Sequence, residues 1–545
     1  MEKNVDIAAK SVSSFAPFSS MTFTLLWIAT VLSNVGTWMH DVGAGWLMAS
    51  MSSTPMFVAL VQTATTLPMF LFALPAGALA DLIDKRRLLI MVQSVLAVTA
   101  LCLGFIVWQG ALTPWLLLTF TFIMGTGAAL IAPAWQSVVP MLVSREYLSA
   151  AVAANSVGIN ISRAIGPAIG GIILSFSLAI PFFTNAISFL FVIAVLYWWK
   201  PVQPTAQPLP SEHFVSAMRT GIRFAINNIA LKSTLYRAAG FFLFASAYWA
   251  LLPLIAKQLL NGGSDLYGMM MGAVGLGAVS GAIFLPRIRN RIDANQLVAI
   301  GSVGTALSML LLATVSDQIF SLFTCLLAGA SWISVLTSLN VSAQISLPEW
   351  VRARGLAIFV TVFFGSMTVG SLLWGQVSSV IGLSWTLILA ALCLVVFIPI
   401  TWRFKLYLGE GMDLTPSMHW PTPITSVELE QDQGPVLITV EYLIDQKRSA
   451  EFLEMANQLR QQRLRGGAYT WRIYEDTAVP GKILEFFEVE SWLEHQRQHH
   501  RVTYSDKVLQ EQIRTFHLED LPPKVTHYLS MAQYQNRNNQ NRDKS

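Results

Sequence analysis

Gly77-Ala78-Leu79-Ala80-Asp81-Leu82-Ile83-Asp84-Lys85-Arg86-Arg87 places two carboxylates and three consecutive cations between two long apolar runs. The preceding run, Phe57 to Ala80, is long enough to cross a bilayer, and a second begins at Leu88. A charged side chain at the centre of a spanning helix costs about 3 kcal/mol or more. These charges therefore mark a short loop at one membrane face, between two spanning helices.

The rest of the chain agrees with this reading. Of 545 residues, 54% are hydrophobic and 12% charged, about half the usual charged share, and the mean hydropathy is +0.54. Apolar stretches long enough to cross a hydrocarbon core about 30 Å thick at 1.5 Å per residue fall at 22–50, 55–80, 88–109, 114–142, 148–177, 180–199, 233–258, 266–286, 295–315, 318–346, 353–380 and 384–404. These twelve predict an all-α polytopic membrane protein, and the alternating segments of a membrane β-barrel are absent. Met1 to Ser20 is polar and the first apolar run is too long for a signal core, so the first helix is expected to be retained. Cys102, Cys325 and Cys393 all lie in apolar spans, where they read as packing residues and give no disulfide framework. The net charge of +4 is small for this length and argues against nucleic acid as a partner.

The cations are distributed unevenly. With both termini cytoplasmic, the inner loops collect Lys85, Arg86, Arg87, Arg145, Lys200, Arg219, Arg223, Lys232, Arg287, Arg289, Arg291, Arg352, Arg354, Arg403 and Lys405, whereas the outer loops hold essentially Lys257. The positive-inside bias makes an even helix count and inside termini mutually consistent. The expected organisation is a tail at 1–21, a six-helix half at 22–199, a connector at 200–232, a second six-helix half at 233–405, a linker at 406–433, a soluble domain at 434–530 and a polar end at 531–545. The halves repeat each other. Gly77…Asp81…Arg86-Arg87 is echoed by Gly281…Arg287…Arg289…Arg291, and Gly127…Gln136…Pro140…Arg145 by Gly329…Gln344…Pro348…Arg352. Repeated halves of this kind rock about a midplane site, which a channel does not require.

The glycine, acid and basic cluster between the second and third spans resembles the characteristic motif of the major facilitator superfamily, although Asp84 stands where that family usually has glycine. Gly36-Thr37-Trp38-Met39-His40-Asp41, Pro75 to Asp81, Pro133-Ala134-Trp135-Gln136 and Arg163-Ala164-Ile165-Gly166-Pro167 are similar to the enterobactin-exporter branch of its drug and siderophore exporters. The resemblance covers about residues 20 to 405. It implies a bacterial inner membrane and export of a small molecule coupled to proton entry, with the proton gradient as driving force and no cofactor.

Individual residues suggest roles within that scheme. Gly77 and Asp81, with Arg86 and Arg87, read as a gate latch, the glycine permitting close approach and the acid pairing across the inner end; the alternative is charge that only anchors the loop. Gly166, Pro167, Gly170 and Gly171 resemble the fifth-helix motif of superfamily antiporters and equally suit ordinary helix packing. Asp41 and Arg163 are the most deeply placed ionisable residues. At 1.5 Å per residue they differ in depth by about 6 Å and could pair, either as a proton-coupling site or as a permanent salt bridge. His40 beside them reads as a hydrogen-bonded histidine or as a tuner of Asp41. By the family's arrangement the first, fourth, seventh and tenth spans line the cavity, offering Asn34, Trp38, Trp135, Gln136, Tyr248, Trp249, Trp332 and Asn340. Aromatic faces with a few amides suit a flat, partly apolar cargo. A nutrient importer or uniporter stays open as an alternative, as does a sensor derived from such a protein.

After Lys405 the composition becomes polar. Val436, Ile438, Val440 and Tyr442 alternate as a strand, Phe452, Met455, Ala456 and Leu459 fall at helical spacing, and strands at 469–474 and 483–489 flank a Pro480-Gly481 turn. A second helix from Trp492 to Phe516 and a strand at 525–529 complete a βαββαβ order, a ferredoxin-like α+β domain. By element order it resembles the antibiotic-biosynthesis-monooxygenase group, which implies dimerisation or sensing, with oxygenase-like chemistry as an alternative. His495 and His499 share a helical face with Trp492; no third ligand is evident from the spacing, and no metal is expected.

Overall fold

In the computed structural model, which describes residues 15–199, 214–289, 291–406, 413–421 and 433–530, the charged stretch is a two-residue break between α2 (Pro55–Leu82) and α3 (Lys85–Trp108). Asp84 makes the break: its side chain accepts from the Arg87 backbone N–H at 2.8 Å and caps α3. The other spans follow from similar local signals. Ser20 caps α1 (Met21–Met51) through Phe23 N–H, and proline opens α2 and α4 (Pro114–Leu142), where its missing N–H costs nothing. Then come α5 (Leu148–Phe176), α6 (Ile180–Trp198), α7 (Phe214–Asn227), α8 (Ile229–Leu254), α9 (Ser264–Arg289), α10 (Ala294–Thr314), α11 (Gln318–Ile345), α12 (Arg352–Ile381) and α13 (Leu383–Thr401).

Eleven of the described helices are long and apolar enough to cross a membrane. The twelfth expected span, α1, has the length at 31 residues, but Asn34, Thr37, His40 and Asp41 lower its hydropathy. The connector is more structured than its composition suggested, since α7 is a 14-residue helix and α8 begins before residue 233.

The chain divides into two compact units. The first holds most of the spanning helices. Its first-half core packs Phe23 and Leu26 of α1, Leu88 and Leu96 of α3, Val138 of α4 and Phe189 of α6. The two halves meet along α5 and α9 and along α2 and α12. A Cβ on Gly171 would lie 2.5 Å from the Gly268 Cα, and the hydroxyls of Thr66 and Thr368 share a 2.8 Å hydrogen bond.

The second unit comprises α7, the adjoining ends of α8, α11 and α12, and the tail. In the tail β1 (Val436–Leu443), β2 (Thr470–Glu475), β3 (Lys482–Val489) and β4 (Lys524–Leu529) form an antiparallel sheet in the order β2-β3-β1-β4. Helix α14 (Ser449–Arg465) links β1 to β2. Val440, Tyr442, Phe452, Leu459 and Ile483 pack into one core cluster, as the alternation of β1 and the spacing of α14 anticipated. The expected single helix from Trp492 to Phe516 is instead α15 (Trp492–Arg501) and α16 (Tyr504–Arg514). A reciprocal cap separates them: Thr503 Oγ1 accepts from Asp506 N–H while Asp506 accepts from Thr503 N–H, which starts a new helix despite the continuous periodicity. Part of the expected linker is also docked, with Ser417 N–H donating to Val502 O and Tyr504 N–H to Thr415 O.

Candidate functional site

Helix α5 packs between α1 and α9 because its small residues remove the side chains that would hold neighbours away. A Cβ on Gly166 would stand 2.7 Å from Trp38 Cβ, and one on Gly170 2.9 Å from Met39 Cα. On the opposite side, a Cβ on Gly275 of α9 would meet the Arg163 carbonyl oxygen at 2.5 Å. Pro167 lies inside a helix that remains continuous, and its own carbonyl oxygen faces Gly268. The four small residues singled out in the sequence are thus close-approach positions, three of them at an interhelical contact that any larger side chain would break.

Asp41 and Arg163 do not form an ion pair. Similar depth along the two helices does not bring the side chains together. The Arg163 guanidinium lies 5.9 Å from the Trp38 ring centroid. The Asp41 region of α1 instead meets the second half: Tyr267 brings its hydroxyl to 2.8 Å from the Cβ position of Gly45, one turn beyond Asp41, and stacks on Trp46 at 6.3 Å. Lys257 Nζ donates to the Ala49 carbonyl at 2.6 Å. His40 is fully buried against Phe182 with ring centroids 4.8 Å apart, and neither ring nitrogen has a hydrogen-bond partner. The hydrogen-bonded histidine expected from sequence is therefore not what the structure contains.

The aromatic residues of the second half do converge. Trp249 of α8 and Trp332 of α11 lie 5.3 Å apart, Tyr248 is 5.5 Å from Trp249, and Phe242 joins Trp332 at 5.3 Å. Phe363 of α12 closes the group at 4.3 Å from Phe242. The buried Tyr248 hydroxyl and Trp249 indole N–H make no hydrogen bond of ordinary geometry. Asn34 and Asn340 are half-buried on α1 and α11. Trp135 is not part of this wall but packs on the first-half core, and Gln136 is exposed. Sequence reading missed Phe182, Tyr267 and Phe363, since an aromatic residue in an apolar helix carries no signal until its neighbours are known.

The gate stretch is arranged differently from a latch. Among the described residues nothing lies within 4 Å of a Cβ built on Gly77, so none of them approaches closely there. Arg86 donates to the Leu196 and Tyr197 carbonyls at 2.6 and 2.7 Å, tying the start of α3 to the end of α6 within one half. Arg87 is exposed, and the side chain of Asp81 lies outside the described residues.

In the tail, His495 Nε2 and His499 Nε2 are 3.3 Å apart, and His527 of β4 brings a third ring to 4.7 Å from His495. Burial, reinforced by the other two rings, pushes His495 down to about 3. Burial and His527 push His499 to about 4, and burial lowers His527. All three are neutral at pH 7. Among the described residues no group of three or more His, Cys, Asp or Glu is placed to hold a metal ion. Trp492 packs in the tail core beside Ile438 and Phe487.

Comparison with known proteins places these features. The chain is 26% identical over 388 residues to the staphyloferrin A transporter of Staphylococcus aureus, covering 69% of this chain and 96% of that one. It is 24% identical over 336 residues to the enterobactin exporter EntS of Escherichia coli, covering 61% and 79%. Among solved structures it is similar to a bacterial homologue of the human lysosomal transporter Spinster in an inward-facing, unoccupied conformation (TM-score 0.55, 13% identity, 71% and 98% covered). It is also similar to the nucleoside transporter NupG (TM-score 0.52, 12% identity, 71% and 100% covered). These relatives are transporters rather than enzymes. The family described as transmembrane secretion effector matches residues 12–535, tail included, and the chain belongs to it as a multi-pass membrane transporter of the major facilitator type.

Proposed function

We propose that the protein is a secondary active exporter of a small aromatic or amphipathic molecule, siderophore- or drug-like, driven by proton entry and working by alternating access. The observation that carries the reading is a carboxylate at a seam with no ion-pair partner among the described residues: Asp41 lies on α1 one turn from where that helix meets Tyr267 of the opposite half. An intramembrane carboxylate with no fixed cation can take up and release a proton as its surroundings change, and seam packing that differs between two states makes that uptake bias the conformational equilibrium. Arg163 then acts apart from Asp41, holding the Trp38 face of α1.

The siderophore class is supported by the names of the staphyloferrin A and enterobactin relatives. The Tyr248, Trp249, Trp332 group supplies flat walls with unsatisfied polar tips, suited to a ring-bearing cargo. We propose a bacterial inner membrane with both termini cytoplasmic, an orientation that the cation distribution supports. The tail would pair two copies through the sheet face opposite its helices, where Tyr474 stacks on Phe486 at 5.5 Å and Tyr528 is exposed.

The test is efflux of a preloaded catecholate siderophore and of a cationic dye from cells expressing wild type, Asp41→Asn or empty vector, with and without a protonophore. Export abolished by both the protonophore and Asp41→Asn at equal expression supports antiport. Normal export by Asp41→Asn removes Asp41 from the coupling site.

A further inference from the structure

Arg163 is a cation inside a spanning helix, and among the described residues it has neither a hydrogen bond nor an ion pair. Its neighbours are aromatic. The guanidinium lies 5.9 Å from the Trp38 ring centroid, and among the described residues the one titratable side chain in electrostatic contact with it is Tyr248 of α8. Asp41 takes no part in that contact, since its charge is felt instead at Tyr267 of α9. Stacking on a ring offsets only part of the cost of holding a charge at membrane depth, and it leaves the N–H donors of the guanidinium without an acceptor.

The surroundings indicate what is missing. Arg163 is half-buried rather than enclosed. An open side facing hydrocarbon would carry the full cost of an exposed charge, so it faces the space between α1, α5 and α8. Tyr248 is 1% exposed, and its hydroxyl makes no hydrogen bond of ordinary geometry. A cation and a hydroxyl donor in one place, both without an acceptor, call for an anionic acceptor. Among the described residues Arg163 is the only cation in electrostatic contact with Tyr248, so a single negative charge balances the site. The planar fork of a guanidinium matches the paired oxygens of a carboxylate. Beside Tyr248, at 5.5 Å between ring centroids, the half-buried Trp249 offers a flat face to whatever carries that carboxylate.

We propose that Arg163 and the Tyr248 hydroxyl receive a carboxylate on the cargo, with the cargo's ring against Trp249, so that the molecule carried is an aromatic carboxylate. This rests on the export reading only in taking the space beside Arg163 as part of the transport path, and it requires no proton coupling.

Isothermal titration of 1-naphthoate and of 1-naphthamide into the purified full-length protein at pH 7 tests this, because the two ligands differ in charge and hardly in shape. Saturable binding of naphthoate is expected, about tenfold or more tighter than that of naphthamide, as the loss of a charged hydrogen bond implies. Arg163→Gln should bring the two ligands to equal affinity, and Tyr248→Phe should weaken naphthoate alone by about fivefold. Equal affinity in the wild type, a preference for naphthoate that survives Arg163→Gln, or no saturable binding of naphthoate at millimolar concentration would each overturn the proposal. The comparison of ligands needs no variant to fold. Binding is read without a gradient, so a failure of proton coupling at Asp41 would leave this result unchanged, whereas a failure here would leave export standing with a cargo of other chemistry.

Discussion

The Arg163 guanidinium rests 5.9 Å from the Trp38 ring centroid, three residues along α1 from an Asp41 that it does not bind. The two intramembrane charges are therefore not joined: Arg163 braces α1 against α5, and Asp41 lies one turn from where α1 meets α9.

Separation predicts additivity. For residues sharing one ion pair, removing either partner does most of the damage and the double variant adds little; for residues without a shared contact, effects on free energy sum to within about 0.5 kcal/mol. Asp41→Asn should abolish the response of efflux to the proton gradient. Arg163→Gln should lower the rate while leaving that response in place, and the double variant should show both defects. Initial efflux rates at several external pH values, at matched expression, check this; a double variant no worse than Asp41→Asn alone would restore the pair.

The seam and the gate stretch make opposite predictions for glycine. A side chain at Gly171 has nowhere to go, with the Gly268 Cα 2.5 Å from its first carbon. Gly171→Val should cost about 1–3 kcal/mol or more by overpacking, lowering the melting temperature in detergent and stopping transport. Gly77→Ala meets open space and should leave the melting temperature unchanged. If Gly77→Ala nevertheless loses efflux, the close approach at Gly77 belongs to the other state of the transport cycle, because a substitution without cost in one conformation acts only by destabilising another.

A buried network holds the tail. Glu485, fully buried, accepts from Arg463, Trp471 and Tyr442 at 3.0 Å each. Burial works against the Arg463 charge, yet Glu485 holds its guanidinium above the usual range, and burial followed by Glu485 raises Tyr442. Glu485→Ala strands a buried cation and should cost about 3–5 kcal/mol. Limited proteolysis of the tail in the full-length protein measures it, and Arg463→Met in the same chain should recover part of the loss.

How much of this was legible in the sequence depended on whether a feature was local or required partners. The charged turn at Asp84, the small-residue run of α5 and the alternation of β1 each encode a local geometry, and each took the shape that the residues specify. The Asp41–Arg163 pair failed because depth along a helix fixes one coordinate and not the direction of a side chain. The single helix expected from Trp492 to Phe516 is interrupted at Thr503 by its reciprocal cap with Asp506, a local signal inside an otherwise helical stretch. His527 could not be joined to His495 without knowing that β4 lies beside β1.

The three tail histidines set a pH limit on that domain. Each has a folded-state value below the ordinary 6.5, with His495 near 3, so between those values the unfolded chain binds more protons than the folded one. Their contribution is therefore complete above about pH 6.5 and is lost as the pH falls toward 4. His495, the most buried, alone gives a slope of about 1.4 kcal/mol per pH unit, or about 2 kcal/mol between pH 6.5 and 5. The tail should become protease-sensitive over that interval while remaining insensitive to pH from 7 to 8. His495→Phe, which keeps the ring and removes the proton site, should shift the onset to lower pH; an unchanged profile would assign the acid lability to other groups.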